Sequence, residues 1–419
     1  MRQNHDEKPA SVSDLSVDQT TLLLVLPLPV LWSGHDRLID RQAHNGIHRW
    51  LDNFDNIIVC MPALEIASAP ADVVALCEID FGGRCKIVSL PDGRRGPISF
   101  VKSLREVQGV LDVLIDKSTH LSFAIGGLFG DWAAVAALRA HKKGRAFSVW
   151  TDRVESQVTQ FHASNSRGMR KLYWSATAFA MKHYERFIIR RATLGLFHGA
   201  DCYAAYFRFS RNAQLVHNIH LSESARIKPA VLDKKIRRSR LPVQIVYTGR
   251  AHAEKGVCDW IETLALLAQR DVNFNATWFG DGPELEAARG AVATAGLRAV
   301  VKFAGALYDR DLLLDFMQDA DIFLFCHKTQ QSPRCLIEAL ISGTPIVGYD
   351  SMYPRDLIRH NGGGVLTKGE PQQLADAVER LVADHSALAR LTCAAAADGH
   401  PFTDTSVFRH RSDLIKSEA

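Results

Sequence analysis

At 419 residues, with 47% hydrophobic and 23% charged residues, the chain has the make-up of a soluble globular protein and the length of two domains. A net charge of +4 is too slight to argue for nucleic acid, and no zinc-finger spacing or RNP-type run supports that partner. Residues 1–20 form a polar tail without the apolar core of a signal peptide. The apolar run 22–32 is too short to span a bilayer and contains Pro27 and Pro29, so a cytoplasmic protein is expected. The eight cysteines include no CxxC pair and lie mostly in apolar segments, as expected of reduced, buried thiols.

From Thr21 the pattern is strand, loop, helix. The loop is Trp32-Ser33-Gly34-His35, and a helix is predicted over 36–51. Gly34 follows the first strand, where a doubly wound sheet places ligands, although a single glycine marks an ordinary turn as readily. His44 and His48 are one helical turn apart, but HNGIH lacks the glutamate of HExxH and Gly46 interrupts the helix. They are not read as a metal pair. Strand-like runs at 57–61, 73–76 and 86–90 precede a helix at 107–116. A strand at 122–127, a helix at 133–142 and a strand at 146–150 follow. This alternation predicts a parallel sheet with helices on both faces.

Asp152 and Glu155 follow the strand 146–150, again at a crevice position. Two carboxylates there can orient or deprotonate a hydroxyl; equally, Asp152 can cap a helix while Glu155 faces solvent. Residues 166–192 carry seven lysines and arginines against one acid, Glu185. Met169, Leu172, Tyr173, Ala176, Phe179, Ala180 and Phe187 recur at helical spacing. The segment reads either as a basic amphipathic helix for an anionic membrane surface or as a long core helix with a cationic outer face. Residues 194–205 read as a strand carrying Gly199-Ala200-Asp201. The basic run 233–242 reads as a solvated interdomain linker.

The second half starts the alternation again. A strand at 243–248 ends at Gly249-Arg250, and Glu254-Lys255-Gly256 leads into a helix. A strand at 276–279 ends at Gly280-Asp281-Gly282-Pro283, and a strand at 322–326 precedes the polar segment Gln330-Gln331-Ser332-Pro333. A short apolar helix then runs over 335–341, stops at Ser342-Gly343 and gives way to a buried strand at 344–349. Pro333 suits the first turn of a helix whose free N–H groups favour a phosphate. Glu338, one turn in, can accept hydrogen bonds from two vicinal hydroxyls such as those of a ribose. Arg250, Lys255, the 330–334 loop and Glu338 all fall at the C-terminal edge of one sheet. Two cations and a helix start can neutralise a diphosphate without a metal. Asp319-Ala320-Asp321 is a DxD at the opposite edge of that sheet and is set aside as a metal site.

These residues resemble the retaining nucleotide-sugar glycosyltransferases of the GT-B fold, in the large family with an E-x7-E motif. The resemblance rests on Gly249-Arg250, Glu254-Lys255-Gly256, Gly280 to Pro283, Ala320 to Phe325 and Ile337 to Asp350, and covers 243 to about 391. It implies an α/β architecture of two Rossmann-like parallel-sheet domains facing a cleft. These are an acceptor-side domain over 21–232 and a nucleotide-sugar domain over 243–400, with a helix in 401–419 returning to the first. It implies a nucleotide diphosphate sugar as co-substrate, no cofactor or metal, and a glycan or lipid-linked acceptor. Donor contacts are expected at Gly34, Gly249, Arg250, Lys255, Gln330, Gln331, Ser332, Arg334, Cys335 and Glu338. Catalytic roles are expected for Arg250, Lys255, Asp152 and Glu155. The sequence departs from the motif at its first acid, where Gln330 stands eight residues before Glu338. An inactive nucleotide-sugar-binding scaffold and a sugar-nucleotide epimerase of the same architecture are the alternatives.

Overall fold

The computed structural model describes residues 19–93, 96–238 and 241–418. In the first half, β1 (Thr21–Val25), β2 (Val30–Ser33), β3 (Asp36–Asp40), α1 (Arg41–Leu51), β4 (Asn56–Glu65), β5 (Val73–Ala75) and β6 (Cys85–Leu90) are followed by α2 (Pro97–Lys117), β7 (His120–Ala124) and α3 (Trp132–Lys142). Then come β8 (Ser148–Thr151), α4 (Glu155–Ser164), α5 (Gly168–Ile189), β9 (Leu194–His198), α6 (Gly199–Tyr206) and β10 (Ala213–Val216). The strands form one sheet in the order β10-β9-β8-β7-β1-β4-β2-β3-β5, with β6 also on β4. β1, β7 and β9 are buried along their whole length, as the continuous apolar runs of a doubly covered parallel sheet require.

Helix α7 (Pro229–Arg237) leads to the second sheet. There β11 (Val243–Thr248), α8 (Val257–Gln269), β12 (Phe274–Phe279), α9 (Leu285–Thr294), β13 (Val301–Gly305), α10 (Arg310–Asp319) and β14 (Ile322–Phe325) precede α11 (Arg334–Ile341) and β15 (Ile346–Tyr349). The chain ends with α12 (Met352–Leu357), β16 (Gly364–Thr367), α13 (Pro371–Ala383), α14 (His385–Gly399) and α15 (Asp404–Lys416). All six strands are parallel, in the order β13-β12-β11-β14-β15-β16. Strand order reverses between β11 and β14, so the loops leaving those two strands flank the crevice where such sheets hold ligands. Two Rossmann-like sheets meeting across a cleft make this a GT-B fold.

The structure corrects the sequence reading in five places. Residues 36–40 are not helical. They form β3, antiparallel to β2 and to β5, and Asp40 caps α1 by accepting from the N–H groups of Gln42 and Ala43. The first sheet is therefore mixed, and Gly34, at φ +64°, sits in an exposed hairpin turn and not in a strand-to-helix loop. α1 runs unbroken through Gly46. Strand β9 ends at His198, and Gly199 begins a helix. Residues 233–237 are no solvated linker but the end of α7, which packs on α14 and buries Lys235; its ammonium donates to Thr344 Oγ1 at 2.7 Å. Its charge density hides the helix in the sequence, although Leu232 and Ile236 stand at helical spacing. The eight thiols are all free, but only Cys60, Cys202 and Cys326 are buried; Cys77, Cys258 and Cys393 are exposed.

The two halves are tied at several points. Asp201 on α6 accepts from Ser351 Oγ at 2.8 Å and from the Met352 N–H at 3.0 Å, and His217 lies 3.3 Å from Asp356. α15 packs on α1, β7 and β10, with Phe408 edge-on to Trp50 at 5.2 Å.

Candidate active site

The C-terminal edge of the second sheet is built by close backbone approach. Gly256 has φ +70°, and a side-chain carbon there would stand 2.0 Å from the carbonyl oxygen of Cys326. Only glycine lets the turn after β11 lie against the end of β14. That contact carries Lys255 to the 330–332 loop, where its ammonium donates to Gln331 Oε1 at 2.5 Å. Burial pulls the Lys255 pKa below its usual value, and among the described residues no carboxylate lies within ion-pair distance of it. Gln331 is itself buried and donates to Thr329 Oγ1. A desolvated ammonium satisfied by a neutral amide leaves positive charge in the cleft, which an anionic ligand would relieve.

α11 starts at Arg334 with no side-chain cap; the Leu336 N–H donates to the Pro333 carbonyl at 3.2 Å, and the N–H groups of Arg334 and Cys335 before it have no side-chain cap. Cys335 lies in that first turn, with its thiol pushed up to about 12 by burial. Glu338 is buried and paired with the guanidinium of Arg310, at the start of α10. Sequence reasoning missed Arg310, because it lies 28 residues away in an otherwise unremarkable helix. Gly249 directly follows β11, and Arg250 beside it is exposed. Gln330 is half-buried next to Gln331, and Gln331, not Gln330, meets Lys255.

The first sheet closes on this loop. Arg153 and Gln331 form an antiparallel bridge, the Ser332 N–H donates to the Asp152 carbonyl at 3.2 Å, and Ser332 Oγ donates to the His198 carbonyl. The structure therefore brings Asp152 and Glu155 together with Lys255, Gln331 and Ser332. Asp152 is exposed and caps no helix; the residue at the cap of α4 is Val154. Glu155 is not a solvated acid. It is largely buried, accepts from Arg153 Nε at 2.6 Å, and is pushed up to about 7 by burial, which outweighs the neighbouring guanidinium. A carboxyl poised near neutrality in a cleft suits proton transfer.

A second cluster beneath this contact was not legible from sequence. Arg411 of α15 is buried, with its guanidinium 4.8 Å from the Trp50 ring centre, 5.0 Å from Phe408 and 5.2 Å from Trp150. Burial pushes it down to about 9, and Asp152 opposes that shift. Trp150 stacks on His198 at 5.0 Å, and neither ring nitrogen of His198 has a partner among the described residues. Four distant segments meet here, α1, β8, β9 and α15, and no local motif marks them. His44 and His48 lie Nε2 to Nε2 at 3.0 Å, and no group of three or more metal-ligand side chains exists among the described residues.

Residues 232–398 match the family model described as Glycosyl transferases group 1. An alpha-D-kanosaminyltransferase from Streptomyces kanamyceticus is 27% identical over 243 residues, 54% of this chain and 61% of its own length. An amylovoran biosynthesis glycosyltransferase, AmsK, from Erwinia amylovora is 31% identical over 164 residues, 37% of this chain and 40% of its own. The matches thus span about two-fifths to three-fifths of these relatives. The solved structure of Anabaena Alr3699/HepE in complex with UDP superposes over 95% of this chain and 100% of that one, at 16% identity and a TM-score of 0.66. The match to the group 1 glycosyl transferase model thus lies in the second half, on a GT-B frame that spans both halves.

Proposed function

We propose that the protein is a glycosyltransferase that moves a sugar from a nucleotide diphosphate sugar to a glycan or lipid-linked acceptor. On this reading it acts with retention at the anomeric carbon, without a metal, at the cytoplasmic face of a membrane. The observation that carries the reading is the meeting of Lys255, Gln331 and the uncapped start of α11 with Asp152 and Glu155 across one cleft. Lys255, Arg250 and the α11 N–H groups near Arg334 and Cys335 take the donor diphosphate. Their charge stabilises the leaving phosphate as the glycosidic bond breaks. Glu338, steadied by Arg310, takes the ribose hydroxyls, and Glu155 receives the proton of the acceptor hydroxyl. The names of the relatives, a kanosaminyltransferase and an amylovoran enzyme, support sugar transfer, and the UDP held by the Anabaena protein supports a nucleoside diphosphate donor.

The test is incubation with a panel of nucleotide sugars and candidate acceptors, with and without EDTA. Release of nucleoside diphosphate, sugar found in the acceptor, and no effect of EDTA are expected. A second reading, a donor-binding protein without transfer activity, is favoured by the neutral Gln330 and Gln331 where the motif has an acid. It predicts donor binding with no release.

A further inference from the structure

The apolar stripe of α5, which sequence spacing offers either as a core face or as a membrane face, points outward. Met169 is 81% exposed, Leu172 64%, Tyr173 63% and Phe179 67%, while Ala178, Met181, Glu185, Ile188 and Ile189 on the opposite side are buried. A contiguous apolar stripe of this size on a soluble surface marks an interaction site. At helical spacing Arg170 lies beyond one edge of the stripe and Lys182 beyond the other, and both are exposed. The only acid of the helix, Glu185, is turned inward, where it accepts from the Ser156 N–H at 3.1 Å and from Ser156 Oγ at 2.9 Å. The outer face of α5 therefore offers bulky apolar groups and positive charge with no negative charge at all. Among the described residues no helix is long and apolar enough to cross a membrane, so attachment through this face would be peripheral.

We propose that the outer face of α5 docks the protein on an anionic lipid bilayer. The aromatic and aliphatic tips enter the acyl boundary, and the flanking cations meet lipid phosphates. The contact between Glu185 and Ser156 places the far end of α5 one residue from Glu155. From Met169 to Glu185 the helix spans about 24 Å, so it forms a rail from the docked surface to the cleft. A lipid-linked acceptor would reach Glu155 along it; this last step rests on the transferase reading, whereas docking does not.

Flotation of the full chain on phosphatidylcholine vesicles with and without phosphatidylglycerol tests the docking and needs no turnover. Recovery only on the anionic vesicles, lost at high salt, is expected. Removing one surface cation changes partitioning roughly fivefold, so R170Q together with K182Q should weaken binding about 25-fold. L172E with F179E should abolish it, with the circular dichroism spectrum and UDP affinity unchanged because both side chains are exposed. Equal recovery on both vesicle types, recovery on neither, or full binding by L172E/F179E would overturn the proposal. So would concentration-dependent dimerisation that L172E/F179E breaks, since the face would then belong to a second copy of the chain.

Discussion

The two sheets present their cleft edges by opposite means. In the second half the edge is backbone: the turn holding Lys255 lies against β14 because Gly256 has no side chain, and α11 starts next to it with no side-chain cap. In the first half the edge is side chain: Arg153 and Glu155 pair across one turn, and Trp150, His198 and Arg411 stack below them. Backbone approach demands particular residues at particular spacings, whereas a side-chain cluster can be assembled from any part of the chain. The edge that holds Lys255 is thus bound to a fixed sequence pattern, and the facing edge is not.

The largest effect is expected where the side-chain edge does chemistry. Glu155→Gln should lower the transfer rate by about 10²–10⁴-fold, the usual contribution of a positioned general base, while the donor KM holds. With the carboxyl of Glu155 raised to about 7, the wild-type rate should climb as pH rises through 7, and the Gln variant should lose that limb. Stability should move the other way. The folded pKa lies above the ordinary 4.5, so between pH 4.5 and 7 the folded chain keeps a proton that the unfolded chain releases, and stability falls as pH rises through that window. Thermal melts across pH should show this fall in the wild type and not in the Gln variant. A pH–rate profile identical in the two proteins would remove Glu155 from the proton path.

The backbone edge is broken by a single methyl. Gly256→Ala forces a left-handed residue and drives its new carbon into the Cys326 carbonyl, at a combined cost of about 2–5 kcal/mol. The control is Gly34→Ala, also left-handed but in open space, which should cost only about 1–2 kcal/mol and leave UDP affinity alone. Calorimetry and melting of both variants sharpen the comparison. If the two lose stability and UDP binding equally, close approach is not what shapes the donor side.

The same contrast explains what could be read in the sequence. The second sheet was legible because several of its strands end at or lead into a glycine or charged residue, as at Gly249, Gly280 and Gly305, whose role depends on its neighbours in the chain. Lys255 stands beside Gly256, and Glu338 lies one turn into the helix after Pro333. The hairpin at 30–40 was missed because Leu38, Ile39 and Ile47 suit either a strand or a helix face, and the Asp40 cap that decides the matter is one residue. Arg411 was invisible, since its role depends on Trp50 and Trp150 some 260–360 positions earlier. On α5 the spacing of the apolar residues shows that a stripe exists but leaves open whether it faces the core or the outside, and burial decides for the outside.

Next in size is the removal of one donor cation. Lys255→Ala deletes a desolvated ammonium and should weaken UDP binding by about 1.5–3 kcal/mol, roughly ten- to hundredfold. Arg250→Ala removes an exposed guanidinium and should weaken it less, because water screens that charge in the free protein. Titration calorimetry at two salt concentrations separates them, with the Arg250 contribution shrinking as salt rises. Unchanged affinity in both variants would dismiss this edge as the diphosphate site.

The smallest effect concerns the missing acid, and the structure now divides the two glutamines. Gln331 accepts from Lys255, whereas Gln330, in the motif position, does not. Gln331→Glu would convert a neutral partner of Lys255 into an ion pair, drawing the ammonium away from the phosphates. UDP affinity should fall by about 0.5–1.5 kcal/mol, the scale of one hydrogen bond lost to competition. Gln330→Glu leaves that contact intact, so UDP affinity should hold while the ranking of intact sugar donors changes. A pocket that hydrogen-bonds sugar hydroxyls discriminates against ligands that leave its polar groups unpaired. Glu338→Ala supplies the opposite limit: it frees Arg310 and should weaken UDP itself, since the ribose is common to every donor. Three variants titrated with UDP and with two intact donors therefore give a pattern and not a single number. If Gln330→Glu and Gln331→Glu shift UDP and the donors in parallel, the two side chains share one role, and the assignment of Gln331 to the phosphates and Gln330 to the sugar is wrong.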